Sequence, residues 1–203
     1  MFDWFLPIGD AIAVTPPGEA VAEVDAIDLL KNDHDSVKEL FALFKQAADR
    51  RVKTKIAKQA LMELKIHAVL EEEIFYPAVR RHVGKDVMNE ADEEHHVAKV
   101  LIAELEEMDA RSDHYDAKFS VLAESVRHHI REEESEMLPR AQDLNIDFVH
   151  LGRQMLRRRE ELLVEGFPPV GEEIMVRASH GAGDSPAKAA RKKPARASRR
   201  SRV

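Results

Sequence analysis

Two stretches of the chain carry the same chemistry. Residues 67–77 read H-A-V-L-E-E-E-I-F-Y-P, and residues 129–139 read H-I-R-E-E-E-S-E-M-L-P. Each has a His, a Glu four residues on, and a Pro ten residues after the His. On a helix, positions i and i+4 share one face. His67 with Glu71, and His129 with Glu133, therefore each direct a nitrogen and an oxygen toward one point. A single pair of this kind is usually a surface contact worth a few tenths of a kcal/mol. Doubled, and in register with apolar stripes, the pattern points to a buried metal site.

The repeat extends upstream. D-H-D-S-V-K-E-L-F (33–41) precedes the first copy and E-H-H-V-A-K-V-L-I (94–102) the second. Aligning His34 with His95 sets Val37 on Ala98, Lys38 on Lys99 and Leu40 on Leu101. His34 lies 33 residues before His67, and His95 lies 34 before His129. Each unit is a helix with a His followed by a helix with His-x3-Glu. Two such hairpins make a four-helix bundle rather than a solenoid, which needs three or more repeats.

The elements that must position these residues follow from periodicity. A first helix from about 25 to 49 buries Ile27, Leu30, Val37, Phe41 and Phe44, with His34 inside the stripe. A second, from about 54 to 83, buries Ile56, Ala60, Leu64, Ile74 and Ala78 with His67 and Glu71; Pro77 predicts a kink just after the Glu. A third, from about 86 to 108, buries Met88, Ala91, Ala98, Ile102 and Leu105 with His95. Ser112 and Asp113 offer caps for a fourth, from about 115 to 142, carrying Leu122, Val126 and Met137 beside His129 and Glu133. A fifth helix runs from about 147 to 165 and stops at Gly166. The expected organisation is an irregular N-terminal arm over 1–24, with Trp4, Phe5 and Leu6 able to pack on the body. The bundle with its fifth helix covers 25–165, and a disordered basic tail 166–203.

Composition narrows the chemistry. The chain has 203 residues, 34% of them charged, and no cysteine, which excludes disulfides, thiolate ligands and a Cys nucleophile. No Ser sits in a Gly-rich elbow either. Residues 177–203 hold nine Lys or Arg against Asp184 alone, a net of +8; the rest of the chain carries 22 basic and 37 acidic residues, a net of −15. Such a tail suits weak, non-specific contact with nucleic-acid phosphates, without aromatic residues for base stacking. The N-terminus lacks a basic, apolar leader and no apolar run reaches membrane-spanning length, so a cytoplasmic protein with no membrane partner is expected.

Four histidines and two glutamates thus fall on buried stripes, with one or more from each helix of the bundle. An ionised carboxylate buried without a partner is very costly. A cation resolves this, and His with carboxylate ligands suits iron, manganese or zinc, often as a pair in bundle cores. Glu71 and Glu133 can bridge two metals, with two histidines on each. His96 and His128 fall off the stripes and are assigned to solvent. His82, His114, His150 and His180 have no such context. Glu72, Glu73, Glu132 and Glu134 are solvated or support the ligands from outside; Tyr76, just after the first motif, can approach the centre, with ordinary core packing the default reading.

The doubled His…His-x3-Glu-x5-Pro pattern over about 25–142 resembles the hemerythrin-like domain with its repeated His-His-Glu motif. The resemblance implies an all-α, up-and-down four-helix bundle around a non-haem di-iron centre, oxo-bridged and carboxylate-bridged. His34, His67, Glu71, His95, His129 and Glu133 match its ligands. Oxygen-carrying members have a further His one turn before the third-helix ligand, where this chain has Ala91. Their aspartate five residues after the last His corresponds to Glu134, with Glu133 at four. These departures argue against reversible oxygen carriage and leave a coordination position that is open or filled by a carboxylate or water; an open one is what a sensor or redox catalyst needs. The expected function is binding of, or reaction with, oxygen, nitric oxide or peroxide, including catalase-like peroxide disposal. The alternatives are metal storage or sensing without turnover, and a nucleoid-associated protein with a structural metal and a DNA-binding tail.

Overall fold

The computed structural model describes residues 24–168 and 171–181, and every regular element among them is helical. α1 spans Ala26–Gln46 and starts at Asp25, whose carboxylate accepts from the Ile27 N–H at 2.8 Å. α2 spans Arg50–Leu70. Asp49, placed by periodicity at the end of the first helix, instead opens the second. Its carboxylate accepts from the N–H groups of Arg51 and Val52, which have no partner inside a first helical turn. A π-helical turn, Glu71–Phe75, leads without leaving helical dihedrals into α3, Tyr76–Val83.

Gly84 then reverses the chain at φ 119°, a conformation open mainly to glycine. α4 runs Lys85–Glu107 and α5 Tyr115–Glu132. His114, rather than Ser112 or Asp113, occupies the cap position of α5, and the Ser112 hydroxyl accepts from its N–H at 3.3 Å. A second π turn, Glu133–Met137, joins α5 to α6, Leu138–Gln142. α7 spans Phe148–Glu165, capped by Asp147, and α8 spans Gly171–Gly181.

The kink expected at Pro77 takes the form of the first π turn. Pro77 lacks an N–H, and its ring crowds the Glu73 carbonyl. The helix absorbs this with one extra residue, so the Tyr76 N–H bonds the Glu71 carbonyl five residues back. Pro139 has the same consequence: the Leu138 N–H bonds the Glu133 carbonyl. One inserted residue rotates everything after it by about 100°. The buried stripe therefore passes to Phe75, Tyr76, Val79 and Val83, while Ile74 and Ala78 are only half-buried.

α1 pairs with α2, and α4 with α5, and the two hairpins face each other as a bundle. One apolar cluster joins Ile27, Leu30, Leu70, Phe75, Val79, Met88 and Leu138 with α7 residues Phe148, Met155 and Leu162. Another joins Phe41, Phe44, Leu61, Leu105, Phe119 and Leu122 at the opposite end. The His and Glu residues form a polar layer between them.

α7 packs along α1 and α2. α8 lies on α4, with Val176 buried and Glu173 bonded to Lys65 at 2.7 Å. Residues 171–181 are thus helical, which corrects the expectation of disorder from 166 onward; α8 has an apolar contact to bury and acidic residues that meet Lys65 and Lys99. The arm residues Trp4, Phe5 and Leu6, and the basic residues beyond Arg177, lie outside the described residues. No described helix is long and apolar enough to cross a membrane.

Candidate metal centre

All six residues singled out by spacing converge. His34, His67, His95 and His129 are buried, and Glu71 and Glu133 are 0% and 1% exposed. Each imidazole turns Nε2 inward. His67 Nε2 and His95 Nε2 both lie 3.2 Å from Glu71 Oε2. His34 Nε2 lies 3.2 Å and His129 Nε2 3.4 Å from Glu133 Oε2. The donors fall into two sets that share Glu71: His34, His67, Glu71 and Glu133 form one, and Glu71, His95 and His129 the other. The i,i+4 spacing on α2 and α5 sets each His beside its Glu; the antiparallel hairpins bring the other two imidazoles across.

The donor set fits a cation and little else. His34 Nε2, His67 Nε2, Glu71 Oε1 and Glu133 Oε2 are buried without hydrogen-bond partners. The short His–Glu separations are within ion-pair range but not aligned as hydrogen bonds. Orphaned buried polar atoms of this kind are rare and costly. Burial, and then the Glu133 charge, push Glu71 well above the usual carboxylate range. Burial also opposes ionisation of Glu133, but His129, His34 and His67 hold it below that range. Burial lowers His67 to about 4 despite Asp33, so it stays neutral. Four imidazole nitrogens and two carboxylates without sulfur suit iron, manganese or zinc.

A carboxylate stands outside each imidazole at Nδ1, within hydrogen-bond distance of His34, His95 and His129 and farther off at His67. Glu134 meets His34 at 3.0 Å and Asp33 faces His67 at 3.5 Å. Glu72 meets His95 and Glu94 meets His129, both at 2.8 Å. Such partners fix ring orientation and strengthen the nitrogen as a donor. Their arrangement follows the repeat. The acid preceding the first His of each hairpin (Asp33, Glu94) faces the second His of the same hairpin. The acid following each inner Glu (Glu72, Glu134) crosses to the other hairpin. Arg159 of α7 pairs with Asp33, so the fifth helix braces the centre.

Sequence reasoning missed Asp33, Glu94 and Arg159, although the repeat alignment already set an acid before both His34 and His95. It placed His96 and His128 correctly in solvent. Glu73 pairs with Arg158, and Glu132 with His128.

Tyr76 approaches the centre rather than serving core packing alone. Its side chain is fully buried, and its hydroxyl donates to Glu133 Oε1 at 2.9 Å and lies 3.1 Å from His95 Nε2. Burial and the nearby Glu133 and Glu71 charges raise it well above its ordinary value, so it keeps its proton. The π turn is what rotates Tyr76 inward. In the second hairpin the equivalent position is the apolar Leu138, so the centre is asymmetric. On the opposite side of the polar layer, a cavity of about 30 Å³ has the four imidazoles in its wall with Val37, Leu64, Ile102 and Val126. That space suits one or two small molecules.

The chain is similar to several known proteins. The chain is 27% identical over 128 residues to a DNA nickase from Nostoc sp., covering 63% of this chain and 36% of that one. It is 28% identical over 115 residues to an uncharacterized hemerythrin-like protein of Schizosaccharomyces pombe, covering 55% and 57% respectively. The chain thus spans less than two thirds of either relative. The fold matches a hemerythrin HHE cation-binding domain-containing protein from Mycobacterium kansasii with a TM-score of 0.59 at 22% identity, over 75% of this chain and 99% of that one. The family model for the hemerythrin HHE cation-binding domain matches residues 25–141, the span that brings the six inner donors together. With that match over more than half its length, the chain belongs to the hemerythrin HHE cation-binding domain family.

Proposed function

We propose that the centre holds two iron ions and that the protein binds or reacts with a small ligand, oxygen, nitric oxide or peroxide, as a sensor or a redox-protective protein. One observation carries this: two His/carboxylate donor sets share the buried Glu71. In this reading His34, His67 and Glu133 would hold one ion and His95 and His129 the other, with Glu71 available to both. Manganese or zinc fits the same donors. Bound iron supplies one-electron chemistry and an open position for the ligand.

The chain's own residues do the rest. The outer carboxylates orient the imidazoles, the apolar clusters exclude bulk water, and Tyr76 keeps an O–H beside Glu133. Ala91, one turn before His95, supplies no donor. The apolar cavity beside the imidazoles favours a small uncharged ligand over an ionic one.

The test is iron per chain together with optical spectra under oxygen, nitric oxide and peroxide. About two iron ions, with bands that respond to a ligand, are expected. Labile metal without any response would leave storage or metal sensing as the function. A second reading has its own support: one relative is named a DNA nickase, and residues 177–203 are strongly basic. In that reading the tail holds DNA non-specifically. Deleting 177–203 should then abolish DNA retention in a salt-dependent assay.

A further inference from the structure

Three of the four outer carboxylates are neutralised by a fixed cation: Asp33 by Arg159, Glu72 by Lys99 and Glu134 by Lys38. Glu94 differs. Its Oε2 holds His129, and its Oε1 turns outward to His128 Nε2 at 3.5 Å. No Lys or Arg among the described residues is in ion-pair range of it. His128 Nε2 also lies 3.1 Å from Glu132 Oε1, one turn along α5. One nitrogen and two carboxylate oxygens therefore meet at the α4–α5 surface.

A cavity of about 20 Å³ lies between this cluster and the buried centre. Glu94 and Glu132 stand at it together with Glu90 and Glu136, the last of these paired with Arg140. Ala91 contributes only a methyl, leaving the space open. The inner wall includes Glu133, which is 1% exposed and has an Oε2 without a hydrogen-bond partner. Glu94 and Glu132 of the surface set thus line the same small space as His129 and Glu133 of the buried centre.

We infer that Glu94, His128 and Glu132 form an outer divalent-cation site from which Fe²⁺ passes to the buried centre. The donors are a nitrogen and oxygens without sulfur, which suit Fe²⁺, Mn²⁺ or Zn²⁺. Three protein donors leave the remaining positions to water, so the ion exchanges readily, as delivery requires. The carboxylates around the cavity concentrate cations at its mouth. Arg131, exposed, now donates to His128 Nδ1 at 3.3 Å. A metal on Nε2 leaves the ring proton on Nδ1, so Arg131 swings away when the site fills. The outer site stands on its own geometry; the delivery role rests on the buried cluster holding metal.

The test compares the full chain with the double variant His128→Ala, Glu132→Gln, which leaves Glu94 on His129. Crystals of each are soaked in Zn²⁺ and anomalous difference maps calculated. A peak among Glu94, His128 and Glu132 is expected in the parent and none in the variant. Anaerobic uptake of Fe²⁺ by the metal-free proteins is followed in parallel. The variant should load roughly tenfold more slowly to the same final iron content. No outer peak in the parent overturns the site. A peak with equal loading rates overturns the delivery role. An outer peak in a protein whose interior takes up no metal overturns the buried-centre reading and leaves the outer site standing.

Discussion

The Tyr76 hydroxyl donates to Glu133 Oε1 at 2.9 Å, across the seam between the two hairpins. This bond sets an O–H donor against one inner carboxylate, while the other, Glu71, has only a longer 3.4 Å approach from the same hydroxyl. Tyr76→Phe removes the donor and keeps the ring. The variant should lose about 1 kcal/mol of stability and keep its metal. Its reaction with peroxide or nitric oxide should slow about a hundredfold, the usual effect of losing a donor aimed at developing charge. Stopped-flow spectroscopy checks this; unchanged rates would return Tyr76 to a packing role.

Glu71 belongs to both donor sets, whereas each His belongs to one. Glu71→Gln should therefore strip both ions, while His67→Ala should leave about one per chain. Mass spectrometry of the intact protein under native conditions distinguishes the two. Equal losses in both variants would mean that Glu71 is not shared.

Metal removal should lower the melting temperature, because it leaves buried donors without partners. The gap between loaded and metal-free protein should narrow in Glu71→Gln, where a neutral amide replaces a group whose ionisation burial already opposes. Scanning calorimetry with and without chelator reads this directly.

Asp33 faces His67 Nδ1 and is itself gripped by Arg159 from α7. Asp33→Asn keeps the shape but loses the charge. Metal affinity should fall about tenfold with little change in helicity. Competition with a chromogenic chelator measures it, and an unaltered affinity would show that Asp33 does not support the ligand.

Gly152 of α7 passes so close to the start of α1 that an added Cβ would lie 2.0 Å from the Val24 carbonyl oxygen. The obstacle is backbone, which cannot rotate away. Gly152→Ala should cost about 3 kcal/mol by forcing α7 off the bundle. Denaturant titration, with metal retention as a second readout, checks whether the Arg159–Asp33 brace goes with it.

Much of the centre was legible in the chain because its signal is local. His-x3-Glu places both donors on one helical face whatever surrounds them, and the apolar stripes carry His34 and His95 into the same interior. Helix limits were less legible. Asp49 was read into the first helix because its capping role depends on where the N–H groups of Arg51 and Val52 point. The two readings of Tyr76, packing or approach to the centre, stayed open because a 3.6-residue period cannot foresee the π turn before Pro77. The same shift takes Ile74 and Ala78 out of the core and brings in Val79. α8 was not anticipated because its apolar contact, Val176, finds its partner only on α4.

Spacing and residue type alone determined the bundle, its internal duplication and the shared interior of the six His and Glu residues, since helical geometry converts sequence distance into shared faces. Long-range packing decided everything that depends on which hairpin faces which. It set the sharing of Glu71, the crossing of Glu72 and Glu134 to the opposite hairpin, and the Arg159 brace. It also set the inward turn of Tyr76 and the outward turn of Glu94. Those relationships join residues up to 126 positions apart, and no local period encodes them.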